Sequence, residues 1–175
     1  MNKDLEYYLT RTTKVVGVGA NFMSYVDKNK LEIPKKPILF LKPPPSIIKN
    51  NQNIIYPPQT KQLEFEAELG IVINNKCKNL NSNNWREFVA GYTCVNDVTA
   101  RDLQPNGTQW TESKSFDSFC PIGPKIEMLV ENNLEIKCYL NGECKQQDNT
   151  NNMIFNLEKL MIYITVFLSM NPACF

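Results

Sequence analysis

Polar and apolar residues alternate along residues 61–73, KQLEFEAELGIVI. Successive side chains of a strand point to opposite faces. The pattern therefore predicts a strand with Phe65, Ala67, Leu69, Ile71 and Ile73 on one face and Glu64, Glu66 and Glu68 on the other. The apolar set suits a core. The acidic set has two readings. It is the wet face of an antiparallel sheet, or some of these carboxylates converge on a cation, because like charges this close repel unless something positive lies between them.

The remaining patterns are short. KVVGVGANF predicts a strand entering a glycine turn, and SYVDKNKLEIPKKP one helical turn closed by Pro34 and Pro37. ILFLKPPPSII reads as a strand running into Pro43, Pro44 and Pro45, which suit a stiff loop or a sheet edge. NIIYPPQTKQ repeats that device. Residues 83–89 have helical character, with Ser82 as N-cap, and a strand at residues 92–95 follows Gly91. Asn141-Gly142 between alternating segments predicts a hairpin. Leu157, Leu160, Met161, Ile164 and Leu168 recur at helical spacing and predict an amphipathic helix that breaks at Asn171-Pro172. The whole is β-rich α+β with few short helices, without repeats or an interdomain linker.

Composition narrows the chemistry. The 175 residues carry a formal net charge of +1 and are 42% hydrophobic, enough for one sizeable core. So balanced a charge makes no electrostatic case for nucleic acid or an acidic membrane surface. Six cysteines without a CxxC pair argue against a disulfide framework or a zinc site. Histidine is absent altogether, which removes the commonest general base. Catalysis then falls to carboxylates, lysine, tyrosine or a metal-bound water. The first residues, MNKDLEYYLTRTTK, have no apolar run of the kind a signal peptide needs, and LMIYITVFLSM is too short to span a bilayer.

A third acid accompanies the ExE pair. CVNDVTARDLQ places Asp97 at a strand end, followed by Arg101, Asp102 and Gln104, and Lys114 follows in QWTESKSFDSFCPIGP. Three carboxylates suit a divalent ion with open positions for a substrate. Arg101 suits a substrate carboxylate, and Lys114 an enolate oxygen as charge develops on it. Each also has a plainer reading: Asp97 as a turn cap, Arg101 and Asp102 as a solvated pair, and Lys114 as an exposed side chain.

FEAELGIVI, GYTCVNDVTARDLQ and KSFDSFCPIGP together closely resemble the fumarylacetoacetate hydrolase family. VGVGANF, PILFLKPPPSII, YPPQTKQLEFEAEL and NGECKQQDNTNNMIF extend the resemblance along nearly the whole chain from Val15. It implies a mixed β-roll, a homodimer, and Mg²⁺ or Mn²⁺ on Glu66, Glu68 and Asp97. It further implies Lys114 in catalysis, Arg101 and Gln104 on the substrate, and a small 2-oxo acid such as an acylpyruvate or oxaloacetate. Glu64 is left over and reads as solvated. Residues 1–14 read as an N-terminal extension and residues 15–175 as the catalytic domain. Cytoplasm is the expected compartment, with mitochondrion as the alternative drawn from relatives.

Two departures stand out. The family's NYxxH motif, with an acid three residues later, pairs a histidine with a glutamate to activate water. Here the stretch is Asn21, Phe22, Met23, Ser24, Tyr25 and then Lys28. Tyr25 thus takes the catalytic position, beside Asn21 and Phe22 on the substrate side, with a reference pKa near 10 that makes it a far weaker base at neutral pH. SMNPACF also stops where family members continue into a buried strand and a Thr-Gly-Thr-Pro loop, so the domain reads as lacking its carboxyl-terminal part. These departures keep open an alternative to enzymatic action: a degenerate member with a binding or partner-subunit role.

Overall fold

The computed structural model describes residues 4–104, 109–128 and 132–175. Helix α1 (Leu5–Leu9) precedes a hairpin of β1 (Val15–Gly19) and β2 (Ile38–Lys42), whose connection carries the short α2 (Met23–Lys28). Then come β3 (Ile47–Lys49), β4 (Leu63–Glu64), β5 (Ala67–Ile73), β6 (Val89–Asn96), β7 (Thr99–Ala100), α3 (Thr111–Lys114), β8 (Cys120–Glu127), β9 (Glu135–Leu140), β10 (Glu143–Asn149) and α4 (Leu157–Phe167). The central sheet has the order β3-β8-β6-β5, with β3 parallel to β8 and the other pairs antiparallel. Three two-stranded ribbons, β1-β2, β4-β7 and β9-β10, surround it. The β-rich α+β class expected from the patterning is the class observed.

Two local expectations need correction. The single strand predicted over residues 61–73 is two strands with different partners. β4 pairs with β7, whereas β5 pairs with β6. At the break, the Glu66 amide donates to Asn96 Oδ1 at 3.0 Å and the Asp97 amide donates to the Glu66 carbonyl at 2.8 Å. A side chain replaces one rung of the ladder, so both chains bend where Glu66 and Asp97 face each other. The helix expected over residues 83–89 is a single 3₁₀ turn, Trp85–Phe88. Ser82 does not cap it. Asn84 Oδ1 accepts from the Asn81 amide and Asn81 Oδ1 from the Asn83 amide, each at 2.9 Å. Asparagine side chains compete with helical backbone bonds in this way, and Trp85, 1% exposed, pins the turn to the core.

The other signals appear as elements. Asn141-Gly142 joins β9 to β10, with Asn141 at φ 52° and Gly142 at φ 83°. Residues 129–131, in the segment expected before that hairpin, lie outside the described residues. Helix α4 is capped by Asn156 Oδ1, which accepts from the Lys159 amide at 3.0 Å, and ends at Phe167, four residues before Asn171-Pro172. Leu157, Leu160, Met161 and Ile164 of α4 pack with Trp85, Tyr92 and Ile73 in the largest core cluster. Tyr8 of α1 packs with Val72, Cys120 and Ile122 on the central sheet, so the residues before β1 include part of the core.

The last residues lie between β1 and β5. The Val16 amide donates to the Phe175 carbonyl at 2.7 Å, and the Ile73 amide donates to the Cys174 carbonyl at 3.0 Å. This tail joins the first hairpin to the edge of the central sheet.

Candidate active site

The bend that faces Glu66 towards Asp97 gathers side chains from α3, β2 and β4 and from the turns that follow β4, β6 and β7. Lys114, at the end of α3, is 2% exposed. Its Nζ lies 2.7 Å from Glu66 Oε2 and 2.5 Å from Asp97 Oδ2. Lys42, the last residue of β2, is equally buried, and its Nζ lies 2.5 Å from Asp97 Oδ1. Arg101 donates through Nε to Glu64 Oε2 at 2.8 Å, through Nη2 to Glu66 Oε1 and through Nη1 to Gln104 Oε1. Asp97 is the shared acceptor of both lysines and the most deeply placed of these acids, at 7% exposed.

An aromatic wall closes one side. The Lys114 ammonium lies 5.0 Å above the Phe40 ring, and Phe40 packs against Trp110 with centroids 5.3 Å apart. Both rings lie over glycines of β1. A Cβ on Gly17 would come within 2.1 Å of Phe40, and one on Gly19 within 2.3 Å of Trp110. The VGVG pattern thus serves close approach as well as the turn.

The electrostatics follow from the pairing. Burial pulls the Lys114 pKa down, but Asp97 and Glu66 together outweigh it and hold the group above its ordinary value. Lys42 has one carboxylate instead of two, and burial wins: its pKa is lowered. Burial, then the charges of Asp97 and Glu66, raise Glu68 well above the usual carboxylate range. Among the described residues the Glu68 carboxyl has no hydrogen-bond or ion-pair partner. Arg101 is raised too, since its bonds to Glu64 and the charge of Glu66 overcome its burial.

The structure therefore brings together Glu66, Glu68, Asp97, Arg101, Gln104 and Lys114. The plainer readings of Lys114 as exposed and of Arg101-Asp102 as a solvated pair do not hold. Asp102 instead accepts from Thr60 Oγ1 and, at 2.8 Å, from the Lys61 amide, which closes the preceding loop. Glu64 is not merely solvated either, because it pairs with Arg101. Tyr25 and Lys28 sit on α2 at the surface; Tyr25 is 37% exposed and close enough to raise the Arg101 pKa. Asn21 is buried with its amide engaged by the Phe155 main chain, donating at 3.0 Å and accepting at 2.9 Å. Phe22 bridges to Met153. Both of these residues fasten the turn before α2.

Lys42 was missed from sequence. Its signal was there: Ile38, Phe40 and Lys42 share one face of β2, so a lysine follows two inward-facing apolar residues. Leu41, on the other face, is exposed. Asp148 of β10 was missed as well. It accepts from Ser24 Oγ beside Tyr25 and adds to the negative potential at Glu68.

By donor type, though not by their present arrangement, these carboxylates suit a hard divalent cation. Glu64, Glu66 and Asp97 are paired with the three cations Lys42, Lys114 and Arg101, and the Glu68 carboxyl has no cation bonded to it. Oxygen donors of this kind are what Mg²⁺ and Mn²⁺ take. Among the described residues no three His, Cys, Asp or Glu side chains are arranged to hold a metal ion as they stand; the Lys114 ammonium lies between Glu66 and Asp97.

Cys120 lies behind this site, with Lys42 and Asp97 in electrostatic range, and burial pushes its thiol up to about 12. Thiolates, not thiols, react. Iodoacetamide at pH 8 is expected to label exposed Cys94 and Cys144 in the folded protein and to spare Cys120 until denaturant is added. Peptide mass mapping reads this, and labelling of native Cys120 would contradict the burial.

Known proteins resemble this chain along most of its length. Residues 14–173 match the family model described as fumarylacetoacetate (FAA) hydrolase C-terminal. An uncharacterized protein of Methanocaldococcus jannaschii is 45% identical over 164 residues, covering 93% of this chain and 69% of its own length. The mitochondrial oxaloacetate tautomerase FAHD2A of Homo sapiens is 39% identical over 171 residues, covering 94% of this chain and 54% of its own. The crystal structure of 5-carboxymethyl-2-hydroxymuconate delta-isomerase from Mycobacterium smegmatis superposes with a TM-score of 0.85 at 34% identity, over 93% of this chain and 63% of that one. The chain thus spans about half to two thirds of the length of these relatives. Among the described residues no helix is long and apolar enough to cross a membrane.

Proposed function

The chain belongs to the fumarylacetoacetate hydrolase family, and from that premise we propose that it is a divalent-metal-dependent enzyme of small 2-oxo acids, suited to tautomerisation or decarboxylation of oxaloacetate better than to hydrolysis of acylpyruvates. One observation carries this reading: a buried ammonium, Lys114, bonded to two carboxylates and flanked by Arg101. Mg²⁺ or Mn²⁺ on Glu66, Glu68 and Asp97 would supply Lewis-acid polarisation of the 2-oxo group.

The chain's own residues do the rest. Arg101 has five N–H donors, three of which are taken by Glu64, Glu66 and Gln104, so the guanidinium has two left for a substrate carboxylate. Gln104 keeps its amide N–H groups for the same carboxylate. Lys114, held charged by its two acids, donates to the enolate oxygen and keeps a proton at Nζ. Phe40 and Trp110 exclude water from its apolar side. Tyr25, exposed near Arg101, is within reach to orient a ligand but is a poor base for water. Losing a general base costs about 10²–10⁴-fold, which falls on hydrolysis more heavily than on enolate chemistry. Oxaloacetate turnover is therefore expected to exceed acylpyruvate cleavage. Rapid acylpyruvate cleavage with no turnover of oxaloacetate would reverse that order.

The first test needs no turnover. Wild type and Glu68→Ala are melted with Mn²⁺, with and without oxalate, which mimics the enolate of a 2-oxo acid. A ligand at about 100 times its Kd adds about 2.7 kcal/mol, a rise of several degrees at this length. Both ligands are expected to raise the melt of wild type and neither that of Glu68→Ala. A second reading, a binding or partner-subunit role, draws on Tyr25 and Lys28 and on the ion pairs that Lys42 and Lys114 already make. It gains if wild type melts cooperatively and responds to neither ligand. The proposal includes a homodimer, which light scattering tests. The mitochondrial compartment of the mammalian relatives supports the second of the two expected locations.

A further inference from the structure

Lys42 has no part in the chemistry assigned to Lys114 and Arg101, yet it is buried as deeply as Lys114. A buried ammonium is costly unless it is paired and hydrogen-bonded. Two bonds hold this one: 2.5 Å to Asp97 Oδ1 and 3.1 Å to the Val98 carbonyl. The titratable groups that face it are Asp97, Lys114 and Cys120. The Asp97 main chain is fixed separately, by its amide to the Glu66 carbonyl and by Thr99 Oγ1 to its own carbonyl. Those bonds leave the carboxylate free to turn. Among the described residues, only Lys42 and Lys114 hold the carboxylate itself, one oxygen each.

We infer that Lys42 is a positioning residue: by holding Oδ1 of Asp97 next to the Val98 carbonyl, it turns Oδ2 towards Glu66 and Lys114, where a cation or an anionic ligand would meet it. This inference rests on the proposed reading of the carboxylate cluster. It also separates from a plain charge effect by its sign. As a charge alone, Lys42 repels a second cation, and its removal tightens metal binding. As the holder of Asp97, it favours metal binding, and its removal weakens it.

Mn²⁺ is titrated into wild type, Lys42→Met and Lys42→Gln, with the free ion read by electron paramagnetic resonance, and each protein is crystallised without added metal. Lys42→Met is expected to bind Mn²⁺ about 10–100-fold more weakly, the loss typical when a group that orients a metal ligand is removed. Its Asp97 carboxylate is expected to leave the wild-type orientation. Lys42→Gln keeps a neutral donor and should lie between Lys42→Met and wild type. Unchanged or tighter binding by Lys42→Met, with Asp97 unmoved, would overturn the inference. If Lys42→Met does not fold, Lys42→Gln decides: weaker binding with a shifted Asp97 supports the role, and tighter binding overturns it. If wild type takes up no Mn²⁺, the proposed function fails on its own, and the orientation of Asp97 in the metal-free variants still settles the role of Lys42.

Discussion

Asp97→Asn is expected to lower the melting temperature by roughly 10 °C without any ligand present. The substitution is nearly isosteric, so it leaves no cavity. What it removes is the charge shared by two buried ammonium groups. Lys114 keeps the Glu66 carboxylate, but Lys42 keeps only neutral acceptors, the Val98 carbonyl and the new amide oxygen. Removing one partner of a buried ion pair costs about 3–5 kcal/mol, because the other charge stays buried without compensation. At about 2–4 °C per kcal/mol for a chain of this length, that gives the stated shift. Glu68→Gln is the matched control. It removes a carboxylate that has no partner and is repelled by Asp97 and Glu66, so the melt of the ligand-free protein is expected to rise. A fall of less than 2 °C for Asp97→Asn, or an equal fall for both variants, would show that the lysines do not depend on Asp97.

The second large effect is on rate. Lys114→Met is expected to lower kcat for oxaloacetate enol–keto exchange by about 10²–10³-fold, the range found when one preorganised donor to a developing oxyanion is lost. Ultraviolet absorbance of the enol follows the exchange directly. The loss should appear in kcat more than in KM, because Arg101 and Gln104 still grip the ground-state carboxylate. Mn²⁺ should still bind, since Glu66, Glu68 and Asp97 are retained and Lys42 still holds Asp97 Oδ1. A variant that exchanges oxaloacetate at the wild-type rate would remove Lys114 from the chemistry.

Much of the fold was legible because its signals are local. Asn141-Gly142 specifies a tight turn through the positive φ that these two residues tolerate, and it became the β9-β10 hairpin. The spacing of Leu157, Leu160, Met161 and Ile164 needed only the helical period to mark the buried face of α4. Where the reading failed, an asparagine side chain competed with the regular backbone bonds. Asn96, thirty residues away, breaks the strand at Glu66. Asn81 and Asn84 draw the backbone of the predicted helix into a 3₁₀ turn.

The sequence by itself determined which chemistry is open to this protein. A chain without histidine, with an ExE pair, a strand-end Asp, an Arg and a Lys, has carboxylates and cations to work with and little else. Residue identity sets donor type and charge, and these do not depend on folding. Only the tertiary structure decided the pairing: that Glu64 belongs to Arg101, that Lys114 joins Glu66 to Asp97, and that Lys42 stands behind them. Lys42 and Asp97 lie 55 positions apart, and no local pattern of polar and apolar residues specifies a contact at that separation. Excluding water from the end of β2 is what makes the ammonium need the carboxylate, and burial of that kind exists only once the sheets have packed.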